Sequence, residues 1–406
     1  MKALQFVQSI PRYSLTRALG WLLPAIYWSP LACLQLREVP EPSLPSPEWV
    51  RIRTRYGGIC GSDLHIVLLQ SSPATSVFAS FPFTLGHENT GTVAAIGAAV
   101  TDLRPGDRVV VEPLLGCRAR GFTDPCPACQ RGETNRCQRF TEGIIAPGIM
   151  IGACRDTGGS WAPFFVAHQS QVFRVPDHLS DEEALMVEPF AAALHPVLRF
   201  PPRDHETVLV IGAGVIGLCL IAALRAIGSR ARVIALAKYG FQADLARALG
   251  ADAVVRRQGA YDRQLADLLG ARLLRPILGP AVLTDGADLV YDCVGSAGSL
   301  SDALRLARTG GRVVLVGLAG QLPAIDWTWV WLRELTLWGA CAYGVEQIEG
   351  ETVRTFTLAL QLLSSGRARL GHLITHKFRL DEYRRALATV VQKGRSGVVK
   401  AVFAFD

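Results

Sequence analysis

Val208-Leu209-Val210-Ile211-Gly212-Ala213-Gly214-Val215-Ile216-Gly217 is the stretch that decides how this chain is read. An apolar, largely β-branched run ends in G-x-G-x-x-G, and a long apolar segment follows without a break. The spacing predicts a strand over 208–211 and a helix over 215–227. The first glycine allows the tight turn, the second lets backbone approach a pyrophosphate, and the third lets helix and strand pack closely. The new helix then offers free N–H groups and its positive dipole end to phosphates. Gly212, Gly214, Val215, Ile216 and Gly217 are therefore the candidate seat of a dinucleotide.

Downstream, strand and helix patterns alternate. Strands are expected over 232–236, 288–291 and 312–316, and helices over 241–249 and 300–308. Buried runs separated by helices imply a parallel sheet covered on both faces. The second strand would end in a carboxylate if the ligand were NAD, because that group accepts from the ribose 2′-OH. Ala237 and Lys238 stand there instead. The missing carboxylate removes repulsion toward a 2′-phosphate and Lys238 adds a point charge, which favours NADP(H) over NAD(H). A solvent-facing Lys238, with NAD held through other contacts, is the alternative.

Upstream of residue 200 the pattern changes. Short apolar runs (49–53, 91–96, 108–111) are punctuated by turns such as Pro105-Gly106-Asp107, which reads as an irregular β-rich domain. After 346 the sequence offers a helix over 351–363 and short strands near Ile374 and Val398. Trp327, Trp329 and Trp331 alternate as an extended segment would. The expected division is 1–185, 186–345 and 346–406.

The 406 residues are half hydrophobic and 19% charged, which excludes a disordered or collagen-like chain. A net charge of +7 is spread over 37 Arg and 5 Lys with no run longer than two, so no nucleic-acid partner is expected. Residues 18–36 carry no charge, but Pro24 and Pro30 interrupt them. A transmembrane span is not expected there; a packed extension or a membrane-surface or subunit contact is. Ten cysteines, clustered rather than evenly spread and preceded by no secretory signal, favour metal binding in a cytoplasmic protein.

Two clusters carry that chemistry. Cys60-Gly61-Ser62-Asp63-Leu64-His65 is followed by Gly86-His87-Glu88 and, later, Val187-Glu188-Pro189. A catalytic zinc takes about three protein ligands and keeps an open position. Cys60 and His87 suit it, with Glu88 or Glu188 as the third. Ser180 and Glu183 form a capping box for a helix, and Pro189 biases Glu188 out of helical geometry toward a cleft. The second cluster is Cys126-x2-Cys129-x7-Cys137, with Cys117 upstream, in a loop too poor in apolar residues to hold itself together. A closed four-thiolate zinc would supply that stability. Asp124 as fourth ligand, or a metal-free loop, are the alternatives.

These motifs together resemble the zinc-dependent medium-chain alcohol dehydrogenases from about residue 36 to the end, in the sorbitol, threonine and glucose dehydrogenase-like branch. Gly86-His87-Glu88-x2-Gly91-x5-Gly97-x2-Val100 matches that family's zinc signature. The resemblance implies an α/β chain: a GroES-like β-barrel catalytic domain, a Rossmann doubly wound parallel sheet, and a C-terminal return to the first domain. It implies Cys60 and His87 as catalytic zinc ligands, Ser62 and His65 as a proton relay, and Asp63 as partner of the zinc-bound histidine. It also implies a dimer or tetramer.

Two departures stand out. Thr123 replaces the first cysteine of the structural lobe, and residues 8–35 exceed the family's usual first hairpin. The activity implied is reversible oxidation of a small alcohol to a carbonyl, with hydride passing to the nicotinamide. The competing readings are a zinc-independent enoyl or quinone reductase of the same fold, which would not use the Cys and His clusters, and a non-catalytic NADP(H)-binding interaction protein.

Overall fold

The alternation of apolar and basic residues in Trp49-Val50-Arg51-Ile52-Arg53-Thr54-Arg55 becomes, in the computed structural model, the strand on which the first unit is built. Val50, Ile52 and Thr54 are buried, while Arg53 and Arg55 are exposed. The structure describes residues 1–348 and 350–406. In chain order its first stretch carries β1 (Lys2–Phe6), α1 (Ile10–Leu19), β2 (Leu34–Glu38), β3 (Trp49–Gly58), α2 (Gly61–Val67), β4 (Phe83–Thr84), β5 (Asn89–Ile96), β6 (Arg108–Val111), α3 (Pro127–Gln130), β7 (Phe164–His168), β8 (Val172–Arg174) and α4 (Asp181–Leu185).

Next come α5 (Val187–Arg199), β9 (Thr207–Ile211), α6 (Val215–Ala226), β10 (Arg232–Ala237), α7 (Gly240–Ala248), β11 (Ala253–Arg256), α8 (Tyr261–Leu269), β12 (Leu273–Leu274), β13 (Val282–Leu283), β14 (Ala287–Asp292), α9 (Ala297–Leu306), β15 (Ala307–Leu315), α10 (Thr328–Leu332) and β16 (Thr336–Gly339). The tail adds β17 (Val345–Ile348), β18 (Glu351–Arg354), α11 (Thr355–Ser364), β19 (Ile374–Phe378), α12 (Tyr383–Val391), α13 (Lys393–Ser396) and β20 (Lys400–Ala404).

The chain divides into two units, Met1–Glu188 with Tyr343–Asp406, and Pro189–Ala342. In the first, β19-β20-β3-β5-β6-β8 run in one sheet with β7 paired to β3, and β2-β1-β4 form a smaller one. The tail completes this unit, since β20 pairs with β3 through Val402↔Gly58. Trp161 is fully buried among Leu4, Leu85 and Phe403, and its Nε1 donates to the Gly58 carbonyl at 2.9 Å. In the second unit the main sheet has six strands, all parallel, in the order β11-β10-β9-β14-β15-β16, and β12 and β13 form a separate antiparallel pair. The order of strands switches sides at β9, toward β10 on one side and β14 on the other, which places a ligand crevice at its carboxyl end.

Four local expectations are corrected. Residues 351–354 form a strand paired with β17, and only from Thr355 does the tail become helical. Trp327-to-Trp331 lies at and within the short helix α10, with Trp327 and Trp331 exposed. The helix expected over 300–308 starts earlier, at Ala297 behind its Ser296 cap, and gives way to β15 at Ala307. Glu188 is helical: Pro189 sits in the first turn of α5, where a missing N–H costs nothing.

The uncharged stretch 18–36 folds as the end of α1, a 3₁₀ turn over Pro24–Trp28 and the start of β2. Trp28 is buried there, and Trp21, Leu22 and Leu23 are exposed. Among the described residues no helix is long and apolar enough to cross a membrane.

Candidate functional site

Cys60 is held where β3 ends and α2 begins. It serves as the helix N-cap, and its N–H donates to Asp63 Oδ2 at 2.9 Å, so Asp63 closes the first turn of α2 on the cysteine. The other carboxylate oxygen of Asp63 lies 3.3 Å from His87 Nδ1. One buried aspartate thus fixes both the thiol and the imidazole. Burial disfavours a charged His87, but the Asp63 carboxylate and then Cys60 outweigh it and raise the ring's pKa well above its ordinary value. With Nδ1 committed to Asp63, Nε2 is the nitrogen left to bind a metal.

Cys60, His87 and Glu88 bring their donor atoms within 4.8 Å of one another. Glu88 is fully buried, and its Oε1 has no hydrogen-bonding partner among the described residues. A buried carboxylate with an unsatisfied oxygen, grouped with a thiol and an imidazole, is what an open-coordinate divalent ion would complete. The residues present therefore fit zinc. On its other side Glu88 is ion-paired with Lys400, itself buried, whose Nζ also donates to the Ile59 carbonyl at 3.3 Å. Burial lowers the Lys400 pKa, and the Glu88 charge more than reverses this, so the ammonium is retained.

Glu188 is not part of that tight set. Its Oε1 accepts from the Tyr343 hydroxyl at 3.0 Å. Burial, with His87 lowering it and the Glu88 charge raising it again, leaves its pKa pushed up to about 7. Ser62, on α2, places its hydroxyl 3.4 Å from His87 Nε2. His65 lies one turn along α2, half-buried, with its pKa lowered by burial and by Lys393. The capping box is half formed: Ser180 accepts from the Glu183 N–H at 3.2 Å, while the Glu183 carboxylate turns to the Leu370 N–H at 2.9 Å.

The second cluster is equally close, with the sulfurs of Cys117, Cys126, Cys129 and Cys137 all within 4.8 Å of one another. Backbone N–H groups aim at these sulfurs: Cys126 N at 3.3 Å from Cys117 Sγ, Gln138 N at 3.5 Å from Cys126 Sγ and Arg139 N at 3.4 Å from Cys137 Sγ. Such donors stabilise thiolates. The hydrogen bond from Cys129 holds the Cys137 pKa down at about 5, while Cys129 is raised in exchange. Cys117 reaches the group because the intervening loop folds back on it.

Arg120, which no spacing or motif distinguishes from the other arginines of the 37, organises that loop. It is completely buried and donates to the carbonyls of Leu115, Glu142, Ile145, Ala146 and Gly148.

In the second unit the glycine turn has the form its spacing implies. Gly212 adopts φ +93°, and a Cβ at Gly217 would lie 1.8 Å from the Gly212 carbonyl oxygen. A Cβ at Gly214 would meet nothing within 4 Å, so the space in front of the second glycine is open, as a pyrophosphate seat requires. Ala237 is buried at the end of β10, and Lys238 is exposed, its Nζ 5.5 Å above the Tyr239 ring.

Comparison with known proteins agrees with this geometry. Residues 46–177 match the family model described as alcohol dehydrogenase GroES-like domain, and residues 215–363 match the one described as zinc-binding dehydrogenase. An L-threonine 3-dehydrogenase of Anaeromyxobacter dehalogenans is 32% identical over 362 residues, 89% of this chain and 93% of that protein. An L-idonate 5-dehydrogenase of Vitis vinifera is 30% identical over 366 residues, 89% of this chain and 88% of that protein. The solved structure of an alcohol dehydrogenase from Thermus sp. ATN1 superposes with TM-score 0.70 at 26% identity, covering 100% of this chain and 99% of that one. A GroES-like unit with clustered metal donors, a six-stranded parallel dinucleotide fold and relatives of this extent leave one conclusion: the chain belongs to the zinc-dependent medium-chain alcohol dehydrogenase family, oxidoreductases that act on CH–OH donors with a nicotinamide cofactor.

Proposed function

We propose that this dehydrogenase oxidises a secondary alcohol bearing further polar groups, a polyol or an amino alcohol, with NADP(H) as its preferred cofactor and two zinc ions per chain. The observation that carries the catalytic assignment is the buried trio Cys60, His87 and Glu88, with Glu88 Oε1 left unsatisfied. In that trio Glu88 is the third ligand and Glu188 is held back by Tyr343. When bound, zinc there supplies Lewis-acid polarisation of the substrate oxygen, and the nicotinamide accepts the hydride.

The chain's own residues do the rest. Asp63 orients both Cys60 and His87 through its two oxygens. Ser62, 3.4 Å from His87 Nε2, takes the substrate hydroxyl proton, and half-buried His65, its basicity lowered, passes it toward solvent. Cys117, Cys126, Cys129 and Cys137 hold the second, structural ion. The threonine and idonate relatives support a polar substrate.

Ten free cysteines suit a reducing compartment and support the cytoplasm. Exposed Trp327 and Trp331 just before the open edge strand β16 support a homo-oligomer, dimer or tetramer.

Cys60→Ser tests the centre. Metal analysis should fall from about two zinc per chain to about one, alcohol oxidation should vanish, and cofactor binding should persist. Undiminished turnover by the metal-depleted variant would remove the assignment. A panel of polyols, sugar acids and threonine, run with each cofactor, sets the substrate class.

A further inference from the structure

We infer that the segment 8–35 is a docking surface for an anionic lipid membrane, its apolar tip entering the headgroup layer and its arginines meeting lipid phosphates. None of the chemistry above uses this segment. α1 turns a single residue, Thr16, inward. A helix of ten residues is marginal unless an apolar face packs on something, yet Ile10, Leu15 and Leu19 all lie exposed. The turn after it continues the patch, with Trp21, Leu22 and Leu23 exposed by 77, 58 and 63%. Apolar exposure concentrated in one segment marks an interaction surface.

The tip is held in place. A Cβ at Gly20 would lie 2.2 Å from the Tyr27 ring, so the chain closes tightly behind it. Ile26 and Trp28 are buried, and Trp28 joins the core of the first unit. The N–H groups of Leu22 and Leu23 both donate to the Leu19 carbonyl, at 3.1 and 3.0 Å, and Pro24 follows with no N–H to satisfy. Backbone donors satisfied in this way can leave water at low cost.

Charge selects the partner. Residues 1–37 hold Lys2, Arg12, Arg17 and Arg37 and no Asp or Glu. Arg17 donates to the Tyr13 hydroxyl at 2.6 Å, and Arg12 donates to the Pro30 and Ala32 carbonyls at 2.6 and 3.1 Å. Both therefore keep their charge, with no ion-pair partner among the described residues. The 3₁₀ turn Pro24–Trp28 packs on α12, and the acids beside that helix, Asp381 and Glu382, are already paired with Arg379 and Arg385. A two-fold contact between copies would set this cationic surface against itself, because such an interface pairs one patch with the same patch. An anionic leaflet offers the opposite charge, and tryptophan favours the headgroup depth.

Co-sedimentation of the full chain with vesicles tests this. The wild type should bind vesicles of phosphatidylglycerol and phosphatidylcholine in equal parts about tenfold or more tighter than pure phosphatidylcholine, and salt at about 0.5 M should erase the difference. The triple variant Trp21→Ser, Leu22→Ser, Leu23→Ser, altered only at exposed positions, should keep the wild-type thermal midpoint and lose most vesicle binding. Arg17→Glu should lose most of the preference for the anionic vesicles, and it decides the matter alone if the triple variant does not fold. A wild type that stays in the supernatant, or that binds both vesicles equally, overturns the proposal, as does a folded triple variant or an Arg17→Glu variant that behaves like the wild type. A wild type that ignores vesicles but whose light-scattering mass halves on the triple substitution would make the surface a contact between copies instead.

Discussion

Glu88 and Glu188 are the same residue type and both are buried, yet their neighbours differ. Glu88 is ion-paired with the Lys400 ammonium and brings a carboxylate oxygen within 4.8 Å of the Cys60 and His87 donor atoms, while Glu188 spends an oxygen on Tyr343. Metal analysis should therefore separate them: Glu88→Gln loses most of the catalytic zinc, whereas Glu188→Gln retains it. Equal loss from both variants would contradict the division. Lys400 gives a second prediction. Removing one partner of a fully buried pair strands the other charge, at a cost of about 3–5 kcal/mol. Denaturant unfolding of Lys400→Met should show a loss of that order in chelator-treated protein, and a smaller one when zinc takes over the Glu88 charge. The sequence made Cys60, His87 and the choice of glutamates legible through local spacing. The proposed rank of Glu88 over Glu188 was not legible there, because the groups that argue for it, Tyr343 and Lys400, enter from more than 150 residues away.

Elements were readable where periodicity alone determines them and misread where a neighbour does. The strands and helices flanking Gly212 sit within a residue or two of their expected bounds, since the apolar pattern and the glycine turn both fix them. Residues 351–354 are extended only because β17 supplies a partner, and α10 coils a stretch whose alternating tryptophans imitate a strand.

At this scale Arg120 is the test of how the cysteine lobe is built. Its guanidinium satisfies carbonyls on both sides of the loop, and a buried carbonyl left unpaired costs about 1–3 kcal/mol. Arg120→Met should lower the thermal midpoint and open the 115–148 segment to proteolysis even with zinc in excess. A lobe as resistant as the wild type would show that the four sulfurs suffice.

The contact among α4, β3 and β19 carries a pH signature. The Lys377 bond, against a small burial effect, holds Glu182 below its ordinary 4.5, and the Glu182 and Tyr56 bonds raise Lys377 above its ordinary 10.5. A depressed carboxylate stabilises above its unfolded pKa and loses that as pH falls through the folded one. A raised lysine does the opposite at the alkaline end. The stability gap between wild type and Glu182→Gln should thus be full between about pH 4.5 and 10.5 and close on the acid side; solvent screening of this half-exposed pair keeps it below about 1 kcal/mol.

On the scale of the whole molecule, the order of motifs along the chain showed two units, but the chain's path between them has a consequence that composition does not reveal. The second unit is one continuous segment, 189–342, with its own six-stranded sheet and its own core around Leu209, Ile234, Val290 and Val313. The first is discontinuous: residues 343–406 bring it β19 and β20, Tyr343 for Glu188 and Lys400 for Glu88. The two should therefore respond oppositely to truncation. A fragment of residues 189–342 keeps every strand of its sheet and should fold and bind the adenosine half of the cofactor. Its exposed Trp327 and Trp331 should also let it self-associate. A fragment of residues 1–342 loses β20, one of three strands that pair with β3, and leaves Glu88 without its counter-charge, so it should neither hold the catalytic zinc nor unfold cooperatively. The proposed structural zinc is a sharper discriminator, because the four cysteines that would hold it lie between 117 and 137 and need nothing from the tail. Zinc at about one per chain in the 1–342 fragment, bound by the cysteine lobe alone, is the expected result; about two per chain would mean that the C-terminal return is dispensable for the catalytic centre.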